Sequence, residues 1–173
     1  MHEADETADL PSHSEGPPPL DRDVPPDGVP IEGLHILETR VGKGVFATRG
    51  FPIDAVIGEI DGVLVEGEDY GSNYAFDFNE ELSLEPDPPF CYLNHSCEPN
   101  CEFIHSDDDD VADILEARHL YIIALRDIEA GEQLTIDYGW AAPSAIRCLC
   151  GAPNCRGWIV CEEELHMITE ADD

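Results

Sequence analysis

A mainly β fold built from many short strands follows from three features of the sequence. Its apolar residues fall in short runs rich in valine, isoleucine and aromatic side chains, separated by glycine, as in small antiparallel sheets. No heptad, internal repeat or long amphipathic helix interrupts that texture. Apolar residues make up 42% of the 173, which supports one core and one domain better than two.

Residues 1–30 hold half of the prolines, many acids and few large apolar side chains, so "SEGPPPLDRDVPPDGVP" is expected to form a disordered, polyproline-type arm. From Ile31 the texture changes. "LHILETRVGKGVFATRG", "AVIGEIDGVLVE" and "NYAFDF" read as strands broken by glycine turns. "CEFIHSDDDDVADILEARHLYIIALRDI" reads as strand, acidic turn, strand. Its run Asp107–Asp110 lacks the glycine and terminal glutamate of a calcium loop, so a solvated hairpin tip is expected there. "GEQLTIDYGW" adds a further apolar segment after a glycine turn, and only "CEEELHMITEA" has helical character. The expected organisation is an acidic, proline-rich arm over 1–30, a folded domain over 31–141, a cysteine-bearing segment over 142–160 and an acidic C-terminal tail over 161–173.

Charge narrows the function. With 39 acidic against 8 basic residues, the formal net charge is −31, and Lys43 is the only lysine. Such a surface repels phosphates, so direct nucleic-acid binding is not expected. Two readings of the acidity remain: adaptation to a salty interior, or a basic partner steered in by the field. There is no stretch of eighteen apolar residues and no cationic start of a secretory signal, so a soluble chain without membrane association is expected. The expected location is cytoplasmic, or nuclear if the source is a eukaryote. Seven cysteines in an unexported chain favour metal over disulfides.

"CLCGAPNCRGW" sets Cys148, Cys150 and Cys155 in a C-x-C-x4-C pattern, with Gly151 and Pro153 turning the chain between them. Thiolates on such turns converge on a tetrahedral zinc, which takes four ligands. The fourth must come from elsewhere, and "CYLNHSCEPNC" offers Cys91, Cys97 and Cys101, among which spacing does not choose. A zinc held this way is structural, and it staples the C-terminal segment across the middle of the fold.

"GKGVFA", "NYAFDF", "NHSCEPN", "GEQLTIDYG" and "CLCGAPNCRGW" occur in this order over roughly residues 32 to 160. Together they resemble the SET-domain protein lysine methyltransferases with a post-SET zinc segment. The resemblance implies a SET-type fold of several small antiparallel sheets over 31–141, a knot-like C-terminal crossing and a post-SET zinc element over 142–160. It implies S-adenosylmethionine as cofactor, structural zinc, and a protein substrate presenting a lysine, with a basic or histone-like protein suiting the charge. Carried over by match, Asn94 and His95 face the cofactor, and Cys97 joins Cys148, Cys150 and Cys155 on zinc. Lys43 and Gly44 match the loop at the cofactor's amino-acid end, Tyr74 a cofactor-contacting tyrosine, and Leu149 a backbone contact to the adenine, with Trp158 covering that edge. Tyr138 matches the active-site tyrosine. Two positions depart from the pattern: Cys91 stands where an arginine is common, and Ile136 stands where the family carries Phe or Tyr. An isoleucine has no hydroxyl to hold a water or the amine, so methylation beyond one methyl is expected. The rival reading is a catalytically inactive SET-type, zinc-stabilised protein-interaction module.

Overall fold

The computed structural model describes residues 31–66, 72, 75–79, 82–105 and 120–169. The strands are β1 (Leu34–Thr39), β2 (Gly42–Ala47), β3 (Val56–Glu59), β4 (Gly62–Glu66), β5 (Phe76–Asn79), β6 (Leu82–Pro86), β7 (Asn94–His95), β8 (Cys101–His105), β9 (Leu120–Ala124), β10 (Thr135–Ile136), β11 (Ile146–Arg147) and β12 (Trp158–Ile159). The single described α-helix is the short α1 (Leu165–Thr169), inside the one segment expected to be helical. The arm over 1–30, Tyr74 and the Asp107–Asp110 tip lie outside the described residues.

The β1–β2 hairpin pairs Leu34 with Ala47 and turns at Arg40–Val41, with Gly42 at φ +108°, a backbone region that glycine enters at little cost. "AVIGEIDGVLVE" forms two strands that do not pair with each other. Its halves diverge after Ile60, β3 joining the sheet β3–β9–β8 and β4 the sheet β4–β6–β5. Both sheets are antiparallel. Alternation in β9 sends Leu120, Ile122 and Ala124 inward, each at 2% exposure or less. They meet Val45, Phe51, Ile57, Leu93, Ile128 and Leu134 in one continuous core. Burying side chains of this size stabilises by roughly 1.5–3 kcal/mol each.

One pairing breaks the antiparallel rule. The two-residue strands β7 and β10 run parallel, Thr135 beside Asn94 and Ile136 beside His95. Parallel neighbours need a long connection, and here it passes through β8 and β9. This brings "NHSCEPN" and "LTIDYG" side by side. Buried Asn100 locks them: its Nδ2 donates to the Gln133 carbonyl at 2.8 Å, and its Oδ1 accepts from the Thr135 amide at 2.8 Å. After β10 the chain crosses to β11 and β12, a two-stranded hairpin that frames the cysteine segment.

Candidate active site and zinc centre

The sulfurs of Cys97, Cys148, Cys150 and Cys155 lie within 4.8 Å of one another. Cys97 Sγ is 3.7 Å from Cys148 Sγ and 4.0 Å from Cys155 Sγ. A tetrahedron with metal–sulfur bonds of ~2.3 Å has edges of about 3.8 Å, so the set fits zinc. The backbone supports the same chemistry. Each sulfur faces an amide N–H: Cys150 N to Cys148, Ala152 N to Cys150, Arg156 N to Cys97 and Gly157 N to Cys155, at 3.4–3.5 Å. Amide donors favour thiolate over thiol. Burial raises the Cys97 and Cys148 thiols, whereas against the same penalty the Cys97 and Ala152 amides and the neighbouring thiols bring Cys150 down to about 6.

The other two candidates for the fourth ligand lie outside this group of sulfurs. Cys101 is fully buried in the core, burial pushes its thiol up to about 12, and the thiol donates to Asn100 Oδ1 at 3.5 Å. Cys91 is raised to about 12 by burial and by the neighbouring Glu85 carboxylate.

His95 joins this centre to the tyrosine segment. Its Nδ1 accepts from the Tyr138 backbone N–H at 3.3 Å, and its Nε2 lies 3.3 Å from Cys97 Sγ. A backbone amide can only donate, so in a neutral ring the proton is on Nε2 and points at the sulfur. Burial lowers the His95 pKa, which keeps the ring neutral against the pull of Asp137. Asp137 Oδ1 is 3.4 Å from Nδ1, yet this is no ion pair, because Arg156 and the Gly139 amide already hold that oxygen. Both ring nitrogens of His95 are therefore engaged with protein, leaving its backbone for any ligand.

Tyr138 follows β10. Its hydroxyl donates to the Leu93 carbonyl at 2.8 Å, and its ring lies 5.4 Å from His95 and 5.3 Å from Trp140. On the facing hairpin, Gly44 approaches the site closely. A Cβ there would fall 2.6 Å from Gln133 Nε2 and 3.0 Å from Asn94 Nδ2. Asn94 Nδ2 donates to the Lys43 carbonyl at 3.0 Å, while its Oδ1 has no partner among the described residues. Lys43 Nζ lies over the Tyr92 ring, 4.8 Å from its centroid. An ammonium and an amide oxygen on elements joined by the Asn94–Lys43 bond suit the zwitterionic amino-acid end of S-adenosylmethionine. Leu149 is 65% exposed between two zinc cysteines, and its carbonyl accepts from the Arg40 guanidinium. Trp158 carries the Arg147 guanidinium over its ring at 4.0 Å.

Of the residues expected at the site, all but Tyr74 are described. Lys43, Gly44, Asn94, His95 and Tyr138 gather where β2, β7 and β10 meet, while Leu149 stands apart with the cysteines. Sequence reasoning missed Asp137 and Arg156. Arg156 donates from both terminal nitrogens to the Asp137 carboxylate at 2.6 and 2.7 Å. Opposite charges inside two motifs, in a chain of only 8 basic residues, were the available signal.

This fold and site have counterparts. The SET domain family matches residues 42–139, more than half of the chain. The "Histone-lysine N-methyltransferase, H3 lysine-4 specific" of Saccharomyces cerevisiae is 35% identical over 51% of this chain. The "Histone-lysine N-methyltransferase trithorax" of Drosophila virilis is 31% identical over 68% of it. The chain spans only 8% and 3% of the length of those two relatives. A crystal structure of KRYPTONITE in complex with mCHG DNA and SAH superposes with a TM-score of 0.62 at 25% identity, covering 73% of this chain and 28% of that one. The chain belongs to the SET domain family.

Proposed function

We propose that this protein is an S-adenosylmethionine-dependent protein-lysine N-methyltransferase, with Tyr138 as its active-site tyrosine. The observation that carries the reading is the anchoring of Tyr138: hydroxyl on the Leu93 carbonyl, ring between His95 and Trp140, at the junction of β7 and β10. S-adenosylmethionine supplies a methyl group on an electrophilic sulfonium. Lys43 and Asn94 would hold its amino-acid end, and Leu149 would lie beside its adenine.

A lysine amine must be neutral to attack, and its ordinary pKa is about 10.4, so the site must favour proton loss. Donation to Leu93 orients the Tyr138 hydroxyl with its oxygen lone pairs turned elsewhere, where they favour a developing cation. Neighbouring aromatic faces favour the same charge. Alignment of amine and methyl then supplies most of the remaining barrier reduction. Ile136, buried at 3% exposure, brings no hydroxyl to restrain the amine, which supports products beyond monomethyl-lysine.

The net charge of −31 supports a basic protein substrate, histone-like among them, and argues against nucleic acid as a direct partner. The histone-lysine methyltransferase names of the relatives support a nuclear role if the source is a eukaryote and lend nothing to a cytoplasmic one. The test is transfer of labelled methyl to a pool of basic proteins, comparing wild type with Tyr138→Phe at matched zinc content. Label on lysine that falls about 100-fold in the variant is expected. No label at low or high salt from a folded, zinc-loaded protein would replace this reading with a peptide-binding module.

A further inference from the structure

We propose that Asp137 and Arg156 are positioning residues, a directional clamp that ties the backbone carrying Tyr138 to the zinc centre. The proposal rests on the reading of Tyr138 as the active-site tyrosine. Each half of the pair adjoins a site residue in sequence, Asp137 next to Tyr138 and Arg156 next to Cys155. Arg156 works in both directions. Its backbone amide faces Cys97 Sγ at 3.4 Å, and its guanidinium grips the Asp137 carboxylate with two parallel bonds. The same carboxylate accepts the Gly139 amide at 3.2 Å. Meanwhile the Tyr138 amide donates to His95, whose other nitrogen reaches Cys97 Sγ. Two independent paths therefore lead from one zinc sulfur to the peptide groups on either side of the Tyr138 α-carbon.

The pair is sheltered, with the Arg156 side chain 13% exposed and Asp137 32%. The buried Arg156 Nε has no partner among the described residues, so its two terminal nitrogens make the contact to Asp137. A buried ion pair is seldom more stabilising than well-packed apolar side chains of the same volume. What it adds is direction: a bidentate fork fixes angle as well as distance. An apolar contact would join the two segments and leave them free to slide. Methyl transfer is sensitive to such sliding, since a misplacement near 1 Å costs on the order of 100-fold in rate.

The experiment uses the full chain with zinc content verified at wild-type level, in Arg156→Gln and Asp137→Asn. Amide hydrogen exchange at Tyr138 and Gly139 is expected to accelerate at least ~10-fold, with Ile122 unchanged. In the transfer assay, kcat is expected to fall about 10- to 100-fold with KM for the cofactor nearly constant, and to fall less than about 2-fold further when Tyr138→Phe is already present. A merely structural pair would cost the same factor in both backgrounds. Should Arg156→Gln lose zinc, Asp137→Asn carries the test, because it keeps the carboxylate's shape and leaves the Arg156 amide in place. Unchanged exchange at Tyr138 and Gly139 with zinc retained, or equal loss in both backgrounds, overturns the proposal. If wild type transfers no methyl, the proposed function fails, and the exchange measurement still decides the clamp.

Discussion

In the sheet β3–β9–β8 the inward residues Leu120, Ile122 and Ala124 are almost completely buried, whereas from Ala141 to Ile168 only Val160 is. The first region folds because water leaves a large apolar surface. The second has little such surface and is secured by four sulfurs, an ion pair and isolated backbone bonds such as Cys161 N to Trp140 O at 2.8 Å. Tyr138 stands at the boundary, its ring partly in the core and its backbone tied to the cysteines. The candidate chemistry is seated on the apolar sheet core, and zinc on the four sulfurs would set its aim.

The largest effect expected from this contrast is metal loss. Cys97→Ser, or chelation, should abolish zinc binding and release the segment after Trp140, since structural zinc contributes on the order of 10 kcal/mol in small folded units. Metal analysis with limited proteolysis checks it: cleavage over 142–164 is expected while β8 and β9 stay protected. Collapse of the whole chain at once would show that the two regions fold as one.

The converse break lies in the core. Ile122→Ala should cost about 2–5 kcal/mol through lost transfer energy and a residual cavity, read as a lower denaturant midpoint. One zinc per chain should remain. Loss of zinc in parallel with stability would erase the distinction between the regions.

The smallest effect sharpens what surface charge contributes. Arg126 pairs with Glu132 at 2.7 Å, and that guanidinium, with the Glu129 amide, holds the Glu132 carboxyl below its usual range. A depressed folded value means the contribution is present above the ordinary carboxyl pKa near ~4.3 and is lost as pH falls through the lower folded value. Because Arg126 is 53% exposed, solvent screening holds it to roughly 0.5 kcal/mol. Melting temperatures of wild type and Glu132→Gln should differ slightly at pH 7 and converge near pH 3.

Much of this architecture was legible in residue pattern. The β texture, the glycine turns and the short terminal helix follow local rules that act over a few residues. The alternation in "LYIIA" is the burial pattern of β9. Where local rules fell short, a long-range partner had intervened. "AVIGEIDGVLVE" reads as strands broken by glycine, but its halves find different sheets, β3 beside β9 and β4 beside β6. The parallel pairing of β7 with β10 rests on two residues each, too few to leave a periodic trace.

By itself the sequence determined the β class, the C-x-C-x4-C cysteines and the motifs of the candidate site, since each is a property of neighbouring residues. Spacing left Cys91, Cys97 and Cys101 open and the motif match pointed to Cys97; the tertiary structure groups Cys97 with the other three sulfurs, and it alone set the His95 proton on Nε2 and joined Asp137 to Arg156. The reason is geometric. Cys97 and Cys148 are separated by 51 positions, and such a separation sets no distance until the folded core closes it to 3.7 Å.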